Sequence, residues 1–357
     1  MQTILVTGGA GFIGSNFVRY LLGYETGVKI INLDVLTYSG SRVNLENLPN
    51  TQNHIFIKGD ICDGDLVSRL LKEHDVDTIV HFAAETHVDR SIAGPGQFIR
   101  TNVNGTFILL EAAREVWLQK SSKGLSTRRF HHISTDEVFG SLAPDDPAWT
   151  EESGYDPHSP YAATKAASDH LVSAYGRTYD LPYTLSNCSN NYGPYQYPEK
   201  LIPLMILNAL QGKPLPVYGD GQQVRDWLFV EDHCEAIHQI LKHGLPGNSY
   251  NIGGGNQPAN LFLVELLCNI LDEKNPDPTF KPHRQLIRFV KDRPGHDRRY
   301  ALNTQKIRND LGWQPRHTLE QGMRNTVEWY LGNPEWLSEI RKQKSYQDWL
   351  TENYDQR

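Results

Sequence analysis

"TILVTGGAGFIGSNFVRYLL", Thr3 to Leu22, changes its hydrophobic period partway along. Ile4, Leu5 and Val6 form a short apolar run, the pattern of a strand buried on both faces. Phe12, Ile13, Phe17, Val18, Leu21 and Leu22 then recur at helical spacing. Between the two patterns stand Gly8, Gly11 and Gly14. Glycine there permits a tight turn, close helix–strand packing and the approach of a pyrophosphate to backbone N–H groups, which the helix dipole favours. A glycine-rich turn by itself decides little. Here an acid follows about 20 residues past the last glycine: Asp34, closing the strand "KIINLD", where a carboxylate hydrogen-bonds the hydroxyls of an adenosine ribose. An acid at that position repels a 2′-phosphate, so the expected cofactor is NAD rather than NADP. The competing reading is an ordinary strand–helix turn with an unrelated aspartate.

The alternation of strand and helix continues outward from this stretch. "HIFIKGDI" ends in Asp60, placed to face an adenine edge, and Asp63 is positioned to cap a helix over Leu66 to Leu71. "DTIVHFAAETHVDRS" is a further buried strand that opens into Ala83 and Ala84, small residues suited to a backbone passing close to a cofactor. "FIRTNVNGTFILLEAA" has a helical pattern, "LQKSSKGLSTRR" reads as a polar surface loop, and "RRFHHIST" supplies a fifth strand. Strands separated by helices at this interval build a parallel, doubly wound sheet. The expected fold is α/β: a Rossmann-type NAD-binding domain over residues 1–180, then a smaller C-terminal α/β substrate-binding domain over 181–335 with some chain returning to the first. Residues 336–357 form a tail without a functional reading.

Bulk properties narrow the class. The 357 residues carry a formal charge of −7, with 22% charged and 39% hydrophobic residues, which describes a folded globular chain. A net negative charge argues against a nucleic-acid surface. Cys62, Cys188, Cys234 and Cys268 show no metal-ligand spacing and read as reduced thiols, so no metal is expected. A strand starting near Thr3 leaves no room for a signal peptide, and no apolar run reaches membrane-spanning length. The expected setting is cytoplasmic, with no membrane partner.

"SPYAATKAASDHLVSAYGRTY" opens a helix at Ser159 and Pro160 and puts Tyr161 and Lys165 at i and i+4, on one face. Coming shortly after a fifth strand that ends in Ser134 and Thr135, this combination resembles the short-chain dehydrogenase/reductase superfamily, in its extended, sugar-nucleotide branch. A free phenol titrates near ~10, and a neighbouring ammonium and a cationic nicotinamide both favour the phenolate. Tyr161 would then take a proton from a sugar hydroxyl as hydride leaves the same carbon, with Thr135 hydrogen-bonded to that hydroxyl.

Oxidation of an alcohol needs only that pair, so the adjacent acids Asp136 and Glu137 in "ISTDEVFG" are surplus to it. A 4-keto sugar has an acidified hydrogen on C5 and a hydroxyl on C6 positioned to leave. A base on C5 and an acid on O6 then expel water, and hydride can return to C6. Such chemistry needs one carboxylate ionised and its neighbour protonated, a difference that like-charge proximity promotes. The plainer alternative is that either acid caps the turn or lies solvated beside the pocket.

Over nearly the whole chain the sequence is similar to the dTDP-glucose 4,6-dehydratase family, on "TGGAGFIGSNF", "HFAAETHVDRSI", "ISTDEVFG", "SPYAATKA", "SNNYGPYQYPEKLIP", "RDWLFVEDH" and "DRPGHDRRYA". Phe139 and "YAATK" depart from the tyrosine and "YSASK" usual there, without removing a reacting group. The resemblance implies Thr135 as hydroxyl anchor, Asp136 as acid on the C6 oxygen, Glu137 as C5 base, Tyr161 as base on the C4 hydroxyl and Lys165 as its support. It implies NAD contacts at Gly8, Gly11, Phe12, Ile13, Gly14, Asp34, Thr37, Asp60, Ile61, Ala83, Ala84, Thr86, Thr101, Tyr161, Lys165 and Asn190. It implies nucleotide-sugar contacts at His87, Thr135, Asn191, Lys200, Leu201, Pro216, Val217, Tyr218, Arg225, Asn260, Asp292, Arg293 and His296. Of these, Arg225 and Arg293 carry the positive charge that a diphosphate calls for.

Past Leu181 the alternation loosens and Pro and Gly become frequent, as in loops that hang over the carboxyl ends of a sheet. "LGWQP" and the helix-like "LEQGMRNTVEWYL" are expected to close the second domain, and helices near Asn102–Glu111 and Tyr161–Tyr175 to pair with their copies in a homodimer, as the superfamily commonly does. Three functions compete: a nucleotide-sugar 4,6-dehydratase (on dTDP-glucose or another nucleotide sugar), a nucleotide-sugar 4-epimerase, and a catalytically silent NAD-sensing module. An epimerase has no use for Asp136 and Glu137, and a sensor needs neither them nor Tyr161 and Lys165.

Overall fold

The computed structural model describes residues 1–118, 127–275, 277–292 and 297–343. Strand β1 (Thr3–Thr7) passes through the glycine turn into α1 (Phe12–Tyr24), followed by β2 (Lys29–Asp34), β3 (His54–Lys58), α2 (Gly64–Glu73) and β4 (Thr78–His81). Short helices α3 (Val88–Ala93) and α4 (Pro95–Phe98) lead into a wide π-helical turn, Ile99–Gly105, and then α5 (Thr106–Ala113). After β5 (Arg129–Thr135) come α6 (Pro160–Tyr179) and β6 (Tyr183–Cys188). The Asp63 side chain accepts the Leu66 N–H and caps α2. Ser159 does the same for α6, with Pro160 in its first turn.

The second half contributes β7 (Asn190–Tyr192), α7 (Leu201–Leu210), β8 (Leu215–Tyr218), β9 (Trp227–Phe229), α8 (Val230–His243), β10 (Asn248–Ile252) and α9 (Asn260–Lys274). It ends with β11 (Ile287–Val290), α10 (Gln305–Leu311), α11 (Leu319–Gly332) and α12 (Pro334–Lys342). A seven-stranded sheet runs in the order β10-β6-β5-β4-β1-β2-β3, and all its pairings are parallel. β6 and β10 both come from beyond residue 181, so the chain returns to the main sheet twice. β7 pairs with β9, and β8 with β11.

Successive residues of β1 face opposite layers, as strand geometry requires. Leu5 packs with Ile31, Ile79, Phe130 and Leu185 under α2, α5 and α6. Ile4 and Val6 pack with Ile30, Val80 and Ile133 under α1 and α8. A separate core of α7, α9, α11 and α12 gathers Met205, Leu267, Met323 and Trp336. The segment from Trp336 onward thus begins as part of a packed helix, and the Trp336 indole N–H donates to Asn44 Oδ1 at 2.8 Å. The eight residues 119–126, most of the expected polar loop, lie outside the described residues.

The register lines up the strand ends that matter. Thr7 is level with His81, and Thr135 with Cys188. Gly8, Asp34, Ala83, the Asp136–Glu137 pair and Asn190 all lie at or just past the carboxyl edge of the sheet, where the strand order reverses about β1 and β4.

Candidate active site

A cavity of about 400 Å³ opens along this edge. Its floor is the glycine turn. Gly8 has φ +71°, and a Cβ on it would lie 2.6 Å from the Ala83 nitrogen; one on Gly14 would lie 2.3 Å from the Gly8 carbonyl oxygen. Three glycines therefore leave bare backbone beside an open volume at the start of α1, the surface a pyrophosphate needs. Asp34 accepts the N–H groups of Ala10 (2.9 Å) and Leu36 (2.7 Å), so the same carboxylate that borders the cavity also shapes the turn. Burial raises its pKa, and those two N–H donors oppose the rise. Asp60 accepts Cys62 N–H (2.8 Å) and is paired with Arg100 (2.7 Å). Burial pushes its pKa up, but those donors prevail and hold the carboxyl below its usual range.

Every residue expected to contact NAD lines this cavity: Gly8, Gly11, Phe12, Ile13, Gly14, Asp34, Thr37, Asp60, Ile61, Ala83, Ala84, Thr86, Thr101, Tyr161, Lys165 and Asn190. Thr101 lies on the π-helical turn, and its neighbour Asn102 clamps the chain opposite. Asn102 accepts Glu85 N–H at 2.8 Å and donates to Glu85 O at 3.0 Å.

At the other end of the cavity stand Thr135, Asp136, Glu137, Tyr161 and Lys165. β5 stops at Thr135, whose hydroxyl accepts the Glu137 N–H at 3.3 Å and starts a single 3₁₀ turn over Asp136–Phe139. That turn separates the two acids. Asp136 is only 2% exposed, and its Oδ2 has no hydrogen-bond partner among the described residues. Burial, then the charges of Glu137 and Asp226, push its pKa well above its ordinary value, which favours the neutral acid. Glu137 is half-buried on the cavity wall.

Lys165 is 4% exposed and donates to Ile133 O at 2.7 Å. Within the chain alone, burial, followed by the nearby Glu137, pushes the Tyr161 pKa up, against the opposing hydrogen bond with Thr135. Besides Ile133 O, the Lys165 ammonium has His132 Nε2 at 3.3 Å.

A chain from Escherichia coli (strain K12) named dTDP-glucose 4,6-dehydratase 1 is 51% identical over 362 residues, covering 99% of each chain. The chain belongs to the dTDP-glucose 4,6-dehydratase family. A relative of the same activity name from Xanthomonas campestris pv. campestris (strain B100) is 54% identical over 95% of this chain and 96% of its own. The family model described as GDP-mannose 4,6 dehydratase matches residues 5–326. The dTDP-glucose 4,6-dehydratase structure from Bacillus anthracis in complex with NAD superposes with TM-score 0.84 at 46% identity, covering 95% of this chain and all of that one. A UDP-glucose 4-epimerase from Thermotoga maritima shares the fold at 29% identity, TM-score 0.80.

Placed in this dehydratase fold, the expected sugar-nucleotide residues divide into groups. Thr135, Asn191 and Lys200 line the cavity, and Leu201 begins α7 directly beyond. His87 caps α3 by accepting the Arg90 N–H (3.4 Å), with its Nε2 3.9 Å from Glu199. Arg225, 5% exposed, donates to Val224 O and Asp297 O and lies 4.2 Å from the Tyr300 ring centroid. It is near enough to Asp136 to oppose that acid's upward shift. Pro216, Val217 and Tyr218 form β8, and Asn260 begins α9. Gln223 joins them: its carbonyl accepts the Asn260 N–H at 2.9 Å, and its amide donates to Asp292 at 2.9 Å. Arg293 and His296 lie outside the described residues.

Sequence reasoning passed over Glu85, Arg100, Ser134, Gln196 and Glu199, which also line the cavity. Glu85 and Glu199 sit inside motifs quoted above, one residue from predicted contacts, which is the only signal they carry. Gln223 carried none.

Proposed function

We propose that this protein converts dTDP-glucose to dTDP-4-keto-6-deoxyglucose and water, using NAD that is regenerated in each turnover. The observation that carries the reading is the contrast between Asp136 and Glu137 on the cavity wall at the end of β5: Asp136 is buried and its pKa is pushed up, while Glu137 is half-buried near Tyr161. Dehydration of a 4-keto sugar requires that contrast. The names of relatives at 51% and 54% identity support the same substrate.

The roles follow from placement. Residues from Gly8 to Gly14, with Asp34, Asp60, Ala83, Ala84 and Thr101, would hold the cofactor along the carboxyl edge. Bound NAD supplies a hydride acceptor, later the donor, and a positive charge that favours the Tyr161 phenolate. Tyr161 takes the proton of the C4 hydroxyl, which Thr135 orients. Glu137 removes the C5 proton, now acidified by the neighbouring ketone. Asp136 delivers its proton to the C6 oxygen as that oxygen departs, and proton return to C5 completes the exchange. Arg225, with Lys200, Asn260 and Asp292, would hold the nucleotide, with Arg293 and His296 assigned to it from the sequence.

The protein acts as a homodimer in the cytoplasm on this reading. Exposed Ile99 and Phe107 on the α4–α5 run, and Tyr179 at the end of α6, support a second copy as the partner. Among the described residues no helix is long and apolar enough to cross a membrane.

An epimerase would leave the Asp136–Glu137 pair idle. Incubation with dTDP-glucose, followed by mass and NMR analysis, tests the proposal: the expected product has lost one water and carries a C6 methyl group. A galactose-configured product, or none, contradicts it. A panel of other nucleotide glucoses measures the base preference.

A further inference from the structure

Tyr161 and Lys165 are two members of a longer stripe, because Asp169 follows at the same four-residue step on α6. Behind the cavity, the imidazole of His132 on β5 stands between the last two. Its Nε2 lies 3.3 Å from Lys165 Nζ and 3.3 Å from Asp169 Oδ1. The other oxygen of Asp169 accepts Ser134 Oγ (2.7 Å), Tyr155 OH (3.0 Å) and Asn187 Nδ2 (3.4 Å). Asn187 also donates to the Thr135 carbonyl at 3.1 Å, tying this cluster to the root of the catalytic turn.

Resting on the function proposed above, we propose that Asp169 is a positioning residue for that reaction: the counter-ion that keeps Lys165 an ammonium inside the protein, acting on the sugar only through the lysine. A lone ammonium out of water sheds its proton unless an anion is near. Burial lowers the Lys165 pKa, and Asp169 is first among the groups that oppose the fall. Burial brings Asp169 itself up to about 6, against the pull of Lys165 and its three donors. The other titratable groups facing the pair cannot substitute. Burial drives the His132 and His81 pKa values well down and pushes the Cys188 thiol up to about 12. The Tyr155 phenol is raised far out of range by burial and by Asp169. His132 Nδ1 has no partner among the described residues.

The test is Asp169→Asn. Loss of the anion makes Lys165 easier to deprotonate, which weakens support for the Tyr161 phenolate. The acid limb of the pH–turnover profile then moves up by about one pH unit, with turnover below it falling about tenfold, rate recovered at higher pH and KM for dTDP-glucose little changed. Asp169→Glu restores part of the shift. Independently of turnover, NMR of lysine-labelled protein, with the Lys165 signal assigned by its loss in Lys165→Met, should show that amine titrating at lower pH in Asp169→Asn. A loss of rate equal at all pH, or an unmoved Lys165 titration, overturns the proposal. Should Asp169→Asn not fold, Tyr155→Phe replaces it: loss of a donor makes the carboxyl hold its proton more tightly and moves both readouts the same way by less. No movement there overturns it too. Failure of the wild-type protein to dehydrate dTDP-glucose would instead count against the underlying function.

Discussion

Asp136 and Glu137 are covalent neighbours on one 3₁₀ turn and both border the cavity, yet Asp136 is almost fully buried while Glu137 is only half-buried. Each carboxyl is therefore assigned a different half of the elimination. Glu137→Gln removes the base on C5 and leaves Tyr161, Lys165 and Thr135 in place. Single-turnover mixing with dTDP-glucose should still show the absorbance of reduced cofactor, while formation of the 6-deoxy product falls by about 10²–10⁴. Equal loss of both signals would remove Glu137 from the C5 step.

Asp136→Asn should lower product formation on a similar scale while changing stability in the opposite sense. The folded pKa of Asp136 lies above its unfolded value, so folding favours its protonated form. Its contribution is fully present below the unfolded carboxyl's pKa near ~4 and is lost as pH rises through the folded value. An amide does not titrate, so the Tm of Asp136→Asn relative to wild type should climb as pH increases from acid to neutral. A Tm difference independent of pH contradicts the burial argument.

Tyr161→Phe should fail before either carboxyl is used. Without the phenol no group takes the C4 hydroxyl proton, and cofactor reduction itself should slow by about 10²–10⁴. Stopped-flow absorbance with bound NAD checks this; normal reduction in the variant would move the first proton transfer to another residue.

Gly14→Ala places a methyl group 2.3 Å from the Gly8 carbonyl, backbone against backbone. The turn has to shift to admit it. NAD affinity of the purified variant should fall by roughly 5- to 150-fold, since a displaced backbone of this kind costs on the order of 1–3 kcal/mol. Cofactor content and Tm measured with and without added NAD report the effect.

How far the sequence alone led depended on whether neighbours in space were neighbours in the chain. The glycine turn, Asp34, the Thr135–Glu137 triplet and the Tyr161–Lys165 pair are local patterns, and all of them meet at one cavity. Asp169 was equally local, one helical turn past Lys165, but its meaning depended on His132 from β5. For Tyr161, burial, invisible in a four-residue spacing, works against the phenolate that Lys165 and a cationic nicotinamide would favour. Past Leu181, the Pro- and Gly-rich loops disguised β6 and β10, which extend the parallel sheet beyond β5. Gln223 joins Asp292 to Asn260 from three separate segments, a contact no periodicity encodes.

The most direct test uses dTDP-glucose carrying deuterium at C4, converted in ordinary water and read by NMR and mass spectrometry. The account predicts deuterium at C6 of the same sugar, a solvent hydrogen at C5 and a lost water. Deuterium still at C4 of an epimerised hexose, with C5 unexchanged, would show that Asp136 and Glu137 perform no elimination.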